Sequence, residues 1–207
     1  MKQKYYAVKV GKTPGIYMTW DECKDMVHGY PGAIYKSFES LSDAEEFAGI
    51  KADIDANDVG ENSSIDVLAK GTYAFVDGSY NVATNVYGYG GFLVFEGEKH
   101  IVQGFGSDPE MASMRNVAGE VLGSMAAIQL AIDMGIEELD IYYDYMGIEM
   151  WATGAWKRNK KGTIEYHEYI KSIKDKIKLN FIKVKGHSGV EGNEEADKLA
   201  KEAVGVL

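Results

Sequence analysis

RNVAGEVLGSMAAIQLAIDMG, residues 115–135, is the stretch that decides the fold. Gly119, Gly123, Ala127 and Ala131 recur every four residues, so one face of the expected helix carries only small side chains. Such a stripe lets a helix lie close to another backbone, here that of a sheet. Two glycines in a helix cost about 1 kcal/mol each relative to alanine, and close packing is the compensation. Glu120 borders the stripe. A carboxylate near a tight helix–sheet contact is costly to bury unless it is paired or bound to a metal.

Strand patterns lie on both sides of this helix. TYAFVDGSY (72–80) is apolar and β-rich and runs into Asp77 and a glycine. YGGFLVFEGEKHIVQGF (89–105) reads as a hairpin turning near Glu96–Glu98. LDIYYD (139–144) is a strand that ends at Asp144, and a short helix follows it. TIEYHEYIKSIKDKIK (163–178) reads as a helix, LNFIKVKG (179–186) as the last strand, and a final helix begins near Asn193. A three-strand meander followed by alternating helices and strands predicts an α/β domain. Its core is one mixed five-stranded sheet flanked by helices.

The chain has 207 residues. Residues 51–70, KADIDANDVGENSSIDVLAK, are acidic and poor in aromatics and read as a linker. The linker separates a small unit, 1–50, from a larger domain, 71–207. In the small unit, KYYAVKVG, GIYMTW and AIYKSFES read as strands. TWDECKDMVHGY and SDAEEFAG open with capping-box patterns, Thr19 with Glu22 and Ser42 with Glu45. The single cysteine, Cys23, excludes an intrachain disulfide. No apolar run approaches the roughly 18 residues of a membrane span, and the N-terminus lacks the apolar core of a secretory signal. A cytoplasmic protein is expected.

The net charge of −10 argues at first sight against a nucleic-acid partner. The mean hides a local asymmetry, because residues 157–185 hold 10 basic and 3 acidic side chains. Such a segment is either a solvated helix face or a phosphate-binding footprint.

Asp77 and Asp144 each follow apolar β residues where a strand runs into a turn. In open α/β sheets ligands gather beyond such ends, although Asp before Gly is also a common turn residue. Asp197 is expected in the first turn of the last helix, where a negative charge suits the helix dipole. Four carboxylates from separate elements, with no cysteine cluster and no histidine pair, favour hard divalent cations such as Mg²⁺ or Mn²⁺.

FVDGSY, NVAGEV, IYYD and KGHSG…NEEADKLAK together resemble, in order and spacing, the motifs of type 1 ribonuclease H. The likeness covers about residues 71–205. It implies a ribonuclease H-like fold and a metal-dependent endonuclease that cuts the RNA strand of RNA–DNA hybrids. Two ions of Mg²⁺ or Mn²⁺ would act in one site, giving 5′-phosphate and 3′-hydroxyl ends. By this resemblance Asp77, Glu120, Asp144 and Asp197 are the metal-binding carboxylates. His187 matches the loop histidine that assists proton movement or product release, and its near-neutral pKa class suits either task. Asn116 matches a polar residue that contacts the hybrid, and Arg115 stands where the family often has threonine. Trp151 and Trp156, with Lys157, Arg158, Lys160 and Lys161, resemble a shortened basic handle, with a tryptophan spacing of five where four is usual. The resemblance makes Trp156 a nucleic-acid contact.

Residues 4–49 resemble the small hybrid-binding, viroplasmin-like domain that precedes many such enzymes. YYAVKVGKTPGIYMTW and AIYKSFES…AEEFA carry that match. Tyr6, Trp20, Tyr35 and Lys36 fall at its nucleic-acid-contacting positions, and Ser37 replaces a frequent second lysine. The implied partner is an RNA–DNA hybrid or double-stranded RNA, bound by a monomer. The main alternative is a non-catalytic hybrid- or double-stranded-RNA-binding protein. A transposase- or integrase-like relative is a weaker one, since the additional domains of those proteins are missing.

Overall fold

The computed structural model describes residues 4–39, 41–49, 71–186 and 189–207. The chain divides into two compact units, Met1–Ala52 and Asp53–Leu207. The expected linker, 51–70, and His187 lie outside the described residues. No described helix is long and apolar enough to cross a membrane.

The first unit runs β1 (Tyr5–Val10), β2 (Gly15–Tyr17), α1 (Trp20–Val27), β3 (Ile34–Phe38) and α2 (Leu41–Ala48). The strands form an antiparallel sheet in the order β2-β1-β3. Ala7 and Val8 of the central strand are wholly buried, and Cys23, Met26 and Val27 of α1 pack on Val8. The first capping box forms: Glu22 N–H donates to Thr19 Oγ1 at 3.3 Å, and Thr19 N–H donates to Glu22 Oε2 at 3.1 Å. The side chains of the second, Ser42 and Glu45, lie outside the described residues.

The second unit continues with β4 (Tyr73–Asn81), β5 (Val86–Phe95), β6 (Glu98–Gly106) and α3 (Pro109–Ala112). Then follow α4 (Asn116–Asp133), β7 (Glu138–Tyr143), α5 (Gly147–Ala152), α6 (Lys161–Ile173), β8 (Lys178–Lys183) and α7 (Glu191–Ala203). The sheet order is β6-β5-β4-β7-β8. The meander β4-β5-β6 is antiparallel, whereas β7 pairs parallel with both β4 and β8. This is the mixed five-stranded sheet the sequence predicts. The β5–β6 hairpin turns at Glu96 and Gly97, both at positive φ, as a two-residue turn between right-twisted strands requires.

Helices α4 and α7 cover opposite faces of β4 and β5. Tyr73 and Phe75 join Phe92, Tyr142, Val184, Val190 and Ala196 in the core under α7, with the Phe75 and Tyr142 rings stacked 4.6 Å apart. On the other face the stripe of α4 meets the sheet. A Cβ on Gly119 would collide with the Gly88 carbonyl, and one on Gly78 would collide with the backbone of Asn116 and Glu120. Glycine at both positions is what lets the two backbones touch. Ala127 and Ala131 continue the stripe, wholly buried.

Three boundaries differ from the sequence reading. Helix α6 ends at Ile173 rather than 178. Ile173 and Ile177 are both buried and four apart, so helical spacing persists through a turn that already leads into β8. Helix α7 starts at Glu191, ahead of Asn193, so Asp197 lies in its second turn rather than its first. Strand β4 runs on to Asn81, so Asp77 is inside it rather than at its end.

Replacing Gly119 with alanine tests the close contact. Alanine normally favours a helix by about 1 kcal/mol over glycine. Here overpacking against Gly88 should reverse that sign and destabilise the fold by about 1–3 kcal/mol, read as a lower urea midpoint. An unchanged or higher midpoint would contradict the packing described.

Candidate active site

The parallel pairing of β4 with β7 ends at Phe75 and Tyr142. Asp77 and Asp144 each lie two residues beyond that last pair, where the strands part. Helix α4, pressed onto Gly78, delivers Glu120 to the same place. One ligand atom from each of Asp77, Glu120 and Asp144 lies within 4.8 Å of the others. Asp77 is 7 % exposed and Glu120 2 %.

Three acids so close, two of them buried, oppose their own ionisation. Burial pushes the Asp77 carboxyl well above its ordinary value, and the charge of Asp144 pushes the same way. A hydrogen bond with Glu120 and one from the Gly78 N–H, 2.6 Å to Oδ1, act against this, and Asp197 adds a smaller upward push. For Glu120 burial is again the largest cause, followed by the charges of Asp77 and Asp144, while Lys183 opposes them. Glu120 Oε2 is buried with no hydrogen-bond partner. An orphaned carboxylate oxygen inside a knot of like charges is a donor set for a hard divalent cation, which would supply the missing positive charge. The residues fit that group.

Asp197 stands outside the three-acid cluster. Its Oδ2 accepts from Lys201 Nζ at 2.6 Å, one turn along α7. Its charge still reaches Asp77. Arg115 and Asn116 stand together at the start of α4, both half-buried. Arg115 has φ 55° and ψ −132°, a backbone conformation costing on the order of 1–3 kcal/mol outside glycine. Two residues near the cluster escaped the sequence reading. Lys183 is 2 % exposed on β8 and donates to the Val184 carbonyl at 2.8 Å. Asn193, 1 % exposed at the start of α7, donates to Asp144.

Trp156 is corrected from nucleic-acid contact to core residue. It is 7 % exposed and meets Trp151 edge-on at 5.9 Å, and Trp151 in turn packs on Tyr145. A large apolar ring gains more from that burial than from waiting at the surface. Lys157 is exposed beside it, whereas Arg158 donates to the Trp156 carbonyl at 2.9 Å and Lys161 pairs with Asp108 at 3.6 Å.

In the first unit Tyr6, Trp20 and Tyr35 form a continuous row, with ring centroids 5.9 and 5.8 Å apart. Trp20 and Tyr35 are 43 % and 45 % exposed. Strand alternation separates Lys36 from this row. Tyr35 pairs opposite Val8 but Lys36 opposite Ala7, and Lys36 Nζ sits 5.0 Å from the Phe38 ring.

Burial raises the carboxyl pKa values of Asp77 and Glu120 in the folded protein above 3.8 and 4.5, so the folded state holds protons that the unfolded state releases. In metal-free protein, stability should therefore fall as pH rises from the ordinary carboxylate range through the raised values. Asp77→Asn should remove much of that slope and raise the thermal midpoint at neutral pH in EDTA. A metal-free thermal midpoint lower in Asp77→Asn than in the parent would contradict this.

A family profile described as "RNase H" matches residues 69–205, and one described as "Ribonuclease H1 N-terminal domain" matches residues 4–48. The chain is 26% identical to human Ribonuclease H1 over 253 residues, covering 96% of this chain and 88% of that protein. Crithidia fasciculata Ribonuclease H is 51% identical over 47 residues, which are 23% of this chain and 10% of that one. Among solved structures, RNase H1 from the halophilic archaeon Halobacterium salinarum NRC-1 superposes with a TM-score of 0.50 and 25% identity, over 64% of this chain and 96% of that one. LC11-RNase H1, solved in complex with an RNA/DNA hybrid, shares the fold at a TM-score of 0.52 and 20% identity, over 65% and 96% of the two chains.

Proposed function

The chain belongs to the RNase H family and is a ribonuclease H, and from that membership we propose that it hydrolyses the RNA strand of RNA–DNA hybrids by two-metal-ion catalysis, leaving 5′-phosphate and 3′-hydroxyl ends. The observation that carries the reading is the convergence of Asp77, Glu120 and Asp144, with an oxygen of Glu120 buried and unpartnered. Asp77, Glu120 and Asp144 would hold the ions, with Asp197 adding charge at their edge. Bound there, two divalent cations, Mg²⁺ or Mn²⁺, supply an activated water and stabilise the departing 3′ oxygen.

The protein's own part is to hold these carboxylates at fixed separation and to seat the substrate. Asn116, beside Gly78 and one turn before Glu120, would meet the hybrid next to the reacting phosphate. A contact to the 2′-hydroxyl there distinguishes RNA from DNA. Arg115 offers its guanidinium to a neighbouring phosphate. His187, four residues before the start of α7, would carry a proton or speed product release. In the first unit the Tyr6–Trp20–Tyr35 row offers faces on which sugars and bases of a hybrid or of double-stranded RNA would stack, while Lys36, on the other face of the sheet, would reach phosphate around its edge. We place this activity in the cytoplasm, in a monomer.

A labelled RNA–DNA hybrid incubated with Mg²⁺ or with EDTA tests the reading. Cleavage should occur with Mg²⁺, stop with EDTA, and fall by at least about 10³-fold in Asp77→Asn, with hybrid binding retained. Binding without cleavage in the parent would instead favour a non-catalytic hybrid-binding protein. Trp20→Ala should weaken hybrid binding by roughly 5- to 150-fold, the equivalent of one lost base stack, and leave the single-turnover rate at saturating enzyme unchanged. A slower saturated rate would contradict the separation of binding from chemistry.

A further inference from the structure

We propose that Asn193 is a positioning residue: it fixes the carboxylate of Asp144 within the acidic cluster and thereby sets the protein's affinity for divalent cations. The proposal rests on the metal-dependent reading above.

Asn193 is 1 % exposed, and its Nδ2 donates to Asp144 Oδ2 at 3.3 Å. Asparagine is among the preferred residues for capping a helix end with its own side chain. Here the N-cap residue of α7, Val190, makes no side-chain cap hydrogen bond, and Asn193 lies in the first turn. Its backbone N–H is satisfied by the Val190 carbonyl at 3.0 Å, so the side chain is free of local duty and is turned to the site. Its Oδ1 is buried without a hydrogen-bond partner. A buried amide with one end on a carboxylate and the other end open is costly for a helix start that needs only stability.

Two neighbours fix the depth and angle of this contact. A Cβ on Gly192 would strike the Phe75 ring at 2.6 Å, so glycine lets α7 settle onto the core and brings residue 193 within reach of Asp144. A Cβ on Gly186 would lie 2.7 Å from the same Oδ2 of Asp144. The carboxylate is thus held between the backbone at Gly186 and the amide of Asn193. Asn193 and Asp197 are four residues apart on one face of α7, so the same face that steadies Asp144 also presents Asp197. Asp144 is less buried than its two partner acids and begins a loop rather than ending within a strand.

The test is calorimetric titration of Mn²⁺ into the free whole chain, using Asn193→Leu, which keeps the branched shape and removes the donor, and Asp144→Asn as control. Groups that orient a metal ligand typically change affinity by about 10- to 100-fold when removed. Asn193→Leu should bind Mn²⁺ weaker by that factor. On the hybrid it should show a lower kcat at fixed metal, an unchanged KM, and recovery of kcat as Mn²⁺ is raised, which a merely structural defect would not show. Parental Mn²⁺ affinity in folded Asn193→Leu, with affinity lost in Asp144→Asn, overturns the positioning role alone. Parental affinity in both variants overturns the metal reading and this proposal with it. Should Asn193→Leu not fold, the parent chain decides: the Asn193 side-chain amide resonances should move on Mg²⁺ titration, and resonances that stay fixed at saturation overturn the proposal.

Discussion

Mutual repulsion among three carboxyl groups governs the second unit. Asp77, Glu120 and Asp144 converge where water is largely excluded, and nothing in an ordinary core would hold them there. The fold supplies the constraint through backbone contacts that cannot be relaxed cheaply. The parallel β4–β7 pair delivers two of the acids in register, and the glycine contact between α4 and β4 delivers the third. Side-chain packing alone would let the acids drift apart by small rotamer changes. Backbone against backbone does not.

That constraint explains why the helix stripe and the acid are neighbours in sequence. Gly119 and Glu120 are adjacent, so the residue that makes the closest approach to the sheet also places the carboxylate beside it. The opposite face follows a parallel logic. Gly192 lowers α7 onto Phe75, and the next residue reaches the site. On both faces a glycine sets the depth of a helix and the polar side chain after it reaches the acidic cluster. Lys183, buried on β8, supplies a positive charge that offsets part of the repulsion at Glu120.

Much of this was legible because it is periodic or local. The four-residue stripe of α4, the apolar strands, the hairpin at Glu96–Gly97 and the Thr19–Glu22 box each follow from neighbours in sequence. Strand ends and the helix stripe singled out Asp77, Glu120 and Asp144 one by one, but their convergence rested on family resemblance, since nothing local joins residues on three separate elements. What stayed hidden depends on which way a side chain faces. Asn193 looks like a helix-start residue and is turned to Asp144 instead. Lys183 sits in a strand whose alternation does not announce which face is wet. Trp156 carries cationic neighbours that suggest a surface, yet the ring is taken into the core by Trp151. The helical spacing of Ile173 and Ile177 runs through a turn because both isoleucines are claimed by tertiary packing.

The charge distribution gains a different meaning from the same geometry. The basic run 157–185 is not a uniform phosphate-binding surface. Lys161, Lys171 and Lys178 pair with Asp108, Glu168 and Glu138, and Lys183 is withdrawn into the interior. Surface pairs of this kind are worth about 0–1 kcal/mol, so they cost little to exchange for a phosphate contact. A duplex carrying about one charge per 1.7 Å would compete for them, and only the lysines lying along its path would be recruited. An acidic chain can therefore hold a polyanion through a few exchangeable cations. Part of that acidity gathers at Asp77, Glu120 and Asp144, where bound divalent cations would offset it.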